Sequence, residues 1–355
     1  MNDYSISLLF IPVLILNSCA NEAMVTPAQS AWPITAAVES TPVRSVDDAA
    51  DDPAIWVNEV DLEASRVIGT DKNYGIEVYS LEGERLQSIP AGRTNNVDLR
   101  RLKNAGRWSA LAAASNRTNN TISLFLIDSS GELFWLEESE IATGLAEPYG
   151  LCMFENASGL QVFVNDKDGR YQQWMLDISG LAAGDLRVSG KLVREFSVSS
   201  QPEGCVADDE HQRLFIGIES EGLRWLSAHH DSPTRLYKIA DIDGQVLVAD
   251  VEGMSIFEVG SRGFLIVSSQ GNNSYAVYNR LPPFGYRGSV VVTADTENGI
   301  DGTSETDGLD ASSLVRTKRY PQGLVVVQDG SNTAPNEAQN FKFIPWDRIS
   351  RTLGL

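Results

Sequence analysis

Beyond about residue 50 the chain is a series of short β-branched and aromatic runs, interrupted roughly every 8 to 12 residues by Gly, Asn, Asp or Ser. Apolar runs of that length alternate too quickly for helices. Helical periodicity is weak and confined to residues 179–184 and the C-terminal segment. The pattern predicts an all-β protein.

One phrase, an apolar strand, a polar turn and a second apolar strand, occurs six times: "VIGTDKNYGIEVYSL", "LAAASNRTNNTISLFLI", "VFVNDKDGRYQQWML", "LFIGIESEGLRWL", "FLIVSSQGNNSYAVYNR" and "LVVVQDGSNTAPNEAQNFKFIPW". The copies are spaced by roughly 43 to 60 residues, as propeller blades are. A second phrase precedes each copy, in order "DDPAIWV", "NNVDLR", "EPYGLCM", "QPEGCVA", "DVEGMSI" and "TDGLDA". Six paired phrases predict a six-bladed β-propeller with four antiparallel strands per blade. A blade is an up-and-down meander whose first strand lines the central channel. The lead-in to that strand and the turn between the second and third strands then lie on one face. The lead-ins bring Asp51, Asp52, Asn95, Asn96, Asp98, Glu203, Asp250, Glu252 and Asp307 to that face, and the turns bring Asp71, Lys72, Arg117, Lys167, Glu219, Gln270 and Asp329.

Composition sharpens the picture. With 48 acidic and 28 basic residues the formal net charge is −20, which repels nucleic acid and anionic lipid and excludes a function built on a basic patch. Carboxylates crowded at one channel mouth repel strongly, on the order of 4 kcal/mol for two charges about 4 Å apart at an effective dielectric near 20. Cations resolve that conflict, and oxygen ligands in irregular loops, without thiols or imidazoles, select Ca²⁺. The stretch "DGTSETDGLD" (301–310) is no EF-hand, because Thr306 takes the position that needs Gly and Ser312 the one that needs Glu. Within it, Asp307 is expected at the mouth, Asp301 in the loop leading there, and Glu305 and Asp310 in solvent.

Lys72, Arg117 and Lys167 are placed by the repeat on the same face as the carboxylates. Metal ions together with guanidinium and ammonium groups suit phosphate-ester hydrolysis, where catalysis is mainly positioning and charge neutralisation. No Ser nucleophile elbow, Walker loop or phosphatase Cys or His motif is present, which leaves a metal-activated water as nucleophile. Two other readings remain open at this level: a calcium-dependent propeller lactonase or esterase, and a non-catalytic calcium-binding surface propeller.

The N-terminus reads "SISLLFIPVLILNSCA", an apolar stretch from Ile6 to Leu16, too short to span a bilayer, followed by small residues and Cys19. It predicts export, with Leu16 to Cys19 resembling a lipoprotein cleavage box, although no Lys or Arg precedes Arg44. A periplasmic, outer-membrane lipoprotein or extracellular location follows, with membrane contact only through a lipid on Cys19. Residues 1–19 are then the signal, 20–38 a linker and 39–355 the propeller. Cys152 and Cys205 either form one disulfide or stay as buried thiols. The three histidines, His211, His229 and His230, sit in polar turn-like sequence and read as surface residues.

"DDPAIWV", "GTDKNYGIEVYSLEG", "NNVDLR", "AAASNR", "EGCVADDE", "ADVEGMSIF", "SSQGNNSYAVY", "DGTSETDGLD", "YPQGLVVVQDG" and "QNFKFIPWDRI" together resemble the β-propeller phytases, from about Glu39 to about Ile349. The resemblance implies several Ca²⁺ ions, some structural and others in an acidic cluster at the channel mouth. It implies hydrolysis of myo-inositol hexakisphosphate (phytate), or of its calcium complex, by direct attack of calcium-bound water, in a monomer. The implied cluster comprises Asp51, Asp52, Glu203, Glu219, Asp250, Glu252, Gln270 and Asp307, with Glu221 able to exchange roles with Glu219. Glu39 matches a further carboxylate, and Asp301, the Val97 carbonyl and Asp329 match ligands of structural or shared ions. Phosphate contacts and catalysis fall to Lys72, Arg117, Tyr149 and Lys167, with Glu203 beside them. Asn73 stands where some members carry a second lysine, which implies weaker phosphate binding at that edge.

Overall fold

The computed structural model describes residues 31–180 and 187–355. The expected signal, Cys19 and most of the 179–184 helix candidate lie outside them. The described chain forms six sheets built on four antiparallel strands in sequence order; in blade 2 the fourth position is shared by Leu133–Trp135 and Ile141–Ala142, and the N-terminal segment joins blades 5 and 6. The inner strands of blades 1 to 6 are Ala50–Trp56, Thr94–Arg101, Pro148–Asn156, Pro202–Asp208, Val251–Val259 and Leu309–Ser312. Each repeated turn phrase spans the second and third strands of its blade, such as Arg66–Asp71 with Gly75–Tyr79 in blade 1.

Neighbouring sheets stack face to face, so the first two strands of each blade are covered on both sides. They read as continuous apolar runs for that reason: every residue of Leu324–Asp329 is buried. Outermost strands have one wet face and alternate instead, as Arg187–Ser197 does. Separate apolar layers fill the six gaps between blades.

The ring closes through the N-terminal segment. Val38–Glu39 pairs antiparallel with Asn340–Pro345 as the fourth strand of blade 6, and Trp32–Ile34 adds a parallel fifth strand to blade 5. Within the expected linker, the described residues 31–38 belong to the propeller instead: Ile34, Ala36 and Val38 are buried core residues. Their apolar side chains had no polar alternation to mark them as strand.

Around the central channel, of about 290 Å³, the inner strands fan apart; backbone bonds such as Gly308 N to Asp51 O and Gly253 N to Asp307 O join neighbours near the mouth. Farther along the channel, carboxylates bridge the gaps. Asp98 Oδ2 accepts from Met153 N, Asp209 Oδ1 from Glu155 N, and Asp310 Oδ2 from Ile55 N while Asp310 Oδ1 accepts from Ser255 Oγ. Asp310 thus joins blades 6, 1 and 5, correcting the expectation that it is solvated; burial pushes its carboxyl up to about 6. Glu305 is exposed, as expected. Cys152 and Cys205 form a disulfide between the inner strands of blades 3 and 4, with Cα atoms 5.8 Å apart. Constraining a loop of that span in the unfolded chain stabilises by roughly 4 kcal/mol on the chain-entropy estimate.

Candidate active site at the channel mouth

One local feature aims the site residues. The inner strands of blades 1 to 5 each shift register by a bulge, between Ala50 and Pro53, Thr94 and Val97, Pro148 and Leu151, Pro202 and Cys205, and Val251 and Met254. In blade 6 the matching pair, Asp307 and Gly308, lies just ahead of the inner strand. A bulge puts two residues opposite one and re-aims a side chain. The first residues of the six pairs are Asp51, Asn95, Tyr149, Glu203, Glu252 and Asp307, and they form a ring around the mouth. The second residues are Asp52, Asn96 and four glycines, for a steric reason. A Cβ on Gly150 would lie 1.9 Å from Glu203 O, one on Gly204 2.1 Å from Glu252 O, and one on Gly308 2.2 Å from Asp52 Oδ1.

A second ring comes from the residue that ends each second strand's run into its turn. Its backbone amide binds the carbonyl two residues ahead of the bulge: Lys72 N to Ala49 O, Arg117 N to Arg93 O, Glu219 N to Gln201 O and Gln270 N to Asp250 O. This repeated bond sets the turn side chain beside the bulge side chain in blades 1, 2, 4 and 5. The two phrases converge on one face, as the repeat predicted.

Charge divides across the two rings. Blades 1 to 3 contribute Lys72, Arg117 and Lys167, and blades 4 to 6 contribute Glu203, Glu219, Glu252 and Asp307. Glu203, Glu219 and Glu252 each offer an oxygen within 4.8 Å of the others. Glu203 Oε1 accepts from Asn95 Nδ2 at 2.8 Å, Glu219 Oε1 from Gln201 Nε2 at 2.6 Å, and Asp307 Oδ1 from Gln270 Nε2 at 2.6 Å. Lys72 Nζ lies 2.6 Å from Asp48 Oδ1, 3.3 Å from Asp51 Oδ1 and 3.1 Å from Asp307 Oδ2. Lys167 Nζ sits 4.3 Å and the Arg117 guanidinium 6.0 Å from the centre of the Tyr149 ring.

Burial and mutual repulsion raise the carboxyls of Asp51, Asp52, Glu219, Glu252 and Asp307 above their ordinary range. Asp51 is pushed up to about 7, with Glu203 adding to the effect and Lys72 opposing it. Glu219 also reaches about 7, through burial, Glu203 and Asp250, and Asp307 reaches about 7 through burial and Asp51. Glu252 and Asp52 are also raised well above the usual carboxylate range, in both cases by burial first. Tyr149 is raised by burial and by Glu203, so its hydroxyl remains protonated.

The donor set fits calcium. Asp51 Oδ2, Glu252 Oε2 and Asn95 Oδ1 are buried with no hydrogen-bond partner among the described residues. Unsatisfied hard oxygens beside doubly repelled carboxylates are what a divalent cation would satisfy.

The remaining implied ligands lie elsewhere. Glu39, Asp301 and Asp329 surround the fully buried ammonium of Lys342 at the ring closure, with Glu39 Oε2 at 2.6 Å, Asp329 Oδ2 at 3.3 Å and Asp301 hydrogen-bonded to it. One ammonium against three carboxylates leaves a deficit that one divalent ion would fill, and Asn332 Oδ1 and Asn340 Oδ1 are buried there without partners. Val97 is the exception: it lines the channel on the inner strand of blade 2, its amide donating to Asp52 Oδ2 at 3.1 Å. Glu221 points away, with Arg224 at 3.9 Å, so the carboxylate at the mouth is Glu219. His211 pairs with Asp208 at the far end of an inner strand, away from the mouth.

A sequence model of the family described as Phytase matches residues 5–355. The chain belongs to the phytase family. Among its relatives is the protein named "3-phytase" from Bacillus subtilis (strain 168), 38% identical over 353 residues that cover 96% of this chain and 91% of that protein. Two solved structures align more distantly. One is a functionally unknown protein from Desulfotomaculum acetoxidans DSM 771, 14% identical with a TM-score of 0.46 over 67% of this chain and 71% of that one. The other is a nidogen/laminin complex, 15% identical with a TM-score of 0.45 over 67% and 79%. Neither bears on function.

Two acidic residues of this family member's mouth escaped the sequence reading. Glu147 Oε1 lies 3.5 Å from Arg117 Nη1 and 3.3 Å from Lys167 Nζ, and Asp48 caps Lys72. Glu147 stands where other lead-ins carry Arg93, Gln201 and Asp250, and a position with no shared chemistry gives a repeat search nothing to find.

Proposed function

We propose that the protein is a calcium-dependent phosphomonoesterase that hydrolyses phytate, alone or as its calcium complex, to lower inositol phosphates and orthophosphate. The observation that carries this is the divided mouth: the close-set carboxylates Glu203, Glu219, Glu252 and Asp307 of blades 4 to 6, with Asp51 and Glu252 each keeping a buried oxygen without a hydrogen-bond partner, beside Lys72, Arg117 and Lys167 of blades 1 to 3. A substrate with several phosphates spans such a face, and a lactone or simple ester would use none of the three cations. Asp51, Asp52, Glu203, Glu219, Asp250, Glu252, Gln270 and Asp307 would hold the calcium. When bound, calcium neutralises phosphate oxygens and activates water for in-line attack. Arg117 and Lys167, set above the Tyr149 ring, bind and orient one phosphate; Lys72 draws another toward Asp51 and Asp307. Tyr149 keeps its proton and donates it as a hydrogen bond. Glu203, anchored by Asn95, fixes the position of the carboxylate wall opposite.

Export, with a lipid on Cys19 as its only membrane contact, fits the disulfide, which persists in oxidising compartments. The ring is complete within one chain, in keeping with a monomer.

Phosphate release from phytate, followed across a Ca²⁺ titration with product isomers resolved, tests the reading. Release should vanish with chelator and return with Ca²⁺; no release at any Ca²⁺ concentration would overturn it.

A further inference from the structure

We propose that Glu147 and Asp48 are built-in counterions, which occupy the two anion subsites of the mouth when substrate is absent and admit only groups that out-compete a carboxylate. This rests on the phosphate-ester reading above and assigns the two residues a part in substrate selection.

The geometry at Glu147 is not that of a chance surface pair. A single oxygen, Oε1, bridges two cations from different blades, Arg117 Nη1 at 3.5 Å and Lys167 Nζ at 3.3 Å. Among the described residues neither cation has another ion-pair partner, and the Arg117 side chain is only 10% exposed. The Glu147 backbone is pinned: Ala146 N and Glu147 N donate to Asp166 Oδ2 at 2.8 and 3.5 Å, and Pro148 follows with its fixed φ. Its side chain is 41% exposed, so it can swing out without disturbing the strand.

Asp48 repeats the arrangement at the other subsite. Lys72 has two partners within the ring, Asp51 and Asp307, and one outside it, Asp48 Oδ1 at 2.6 Å, whose side chain is 77% exposed. In both places the outward lobe of a partly sunken cation is covered by one solvent-exposed, singly charged carboxylate.

A phosphate monoester near neutral pH carries about −1.5 to −2 and three strong acceptor oxygens. It therefore displaces a carboxylate from a pair of cations, gaining charge-assisted and bidentate hydrogen bonds to Arg117. A monoanion gains little over Glu147 and is left out. Selectivity achieved by an internal competitor lowers affinity for every ligand and penalises weakly charged ones most.

The test is E147Q in the whole, calcium-loaded protein. KM for phytate should fall about three- to tenfold, the size of one partly exposed ion pair, while kcat changes less. Orthophosphate, followed by calorimetry, should bind tighter by a similar factor. Both differences should shrink in about 0.5 M salt, where screening weakens the Glu147 pairs. D48N should act in the same direction but less, since Lys72 keeps two partners, and the double variant should be near additive. Unchanged or higher KM together with unchanged orthophosphate affinity in E147Q would overturn the assignment, making Glu147 a support for the cations. Absence of turnover in the parent protein would count against the phytate reading alone, and orthophosphate affinity would still decide the role of Glu147. Thermal unfolding of each variant confirms that it is folded.

Discussion

Lys72 stands where the two halves of the mouth meet, with Asp51 and Asp307 of the acidic ring on its inner side and Asp48 on its outer side. Burial alone would lower its pKa, yet the Asp51, Asp307 and Asp48 carboxylates raise it, so it is charged at any working pH. Lys72→Ala removes the only cation seated between Asp51 and Asp307 among the described residues. We expect kcat/KM for phytate to fall about 10²-fold, the scale of one transition-state charge partner, with thermal unfolding in Ca²⁺ little changed; steady-state kinetics beside a melting curve checks both. Lys72, Arg117 and Lys167 were legible in the sequence because they hold one position in a repeated turn. Glu147 was not, because what makes it matter is the distance to Arg117 and Lys167 from neighbouring turns.

The bulge is the element that turns a strand into a ligand carrier. Its second position is tightly constrained where the next blade's backbone crosses it, and glycine there lets adjacent blades approach. Gly204→Ala places a methyl group 2.1 Å from Glu252 O, against a backbone that cannot move without shifting Glu252 itself. Overpacking of this kind costs about 1 to 3 kcal/mol, so the melting temperature should drop both with Ca²⁺ and with chelator, and apparent Ca²⁺ affinity should weaken with it. A loss of stability seen only in the calcium-loaded protein would place the strain elsewhere. The glycines were visible in "PEG", "VEG" and "TDG"; that they oppose the neighbouring bulge was not, since that contact joins residues about 50 positions apart, one blade repeat.

Across the whole molecule, charge couples stability to pH and calcium. In the ion-free protein Asp51, Glu219 and Asp307 titrate near 7, against about 4 in the unfolded chain. Between those values the folded state holds protons that the unfolded state has released, so ion-free stability falls as pH rises. Calcium needs the carboxylates ionised, so its binding releases protons and strengthens with pH. Melting temperatures from pH 5 to 8 should therefore fall in chelator, while the gain on adding Ca²⁺ grows. Carboxyls held low, such as Asp208 and Asp301, act below pH 4 and leave that window clear. A chelated protein that becomes more stable between pH 5 and 8 would contradict the assignment of these groups.

What the sequence determined by itself was whatever repeats: strand period, turn chemistry, six blades, and the acidic and basic positions those phrases carry. These are local properties, written within one blade and copied six times. Ring closure by Trp32–Ile34 and Val38–Glu39, the Cys152–Cys205 bond, the role of Asp310 as a bridge between blades and the separation of the Glu39, Asp301 and Asp329 group from the mouth were decided only in the tertiary structure. Each depends on two blades meeting, and that distance is set by how the sheets pack around the channel.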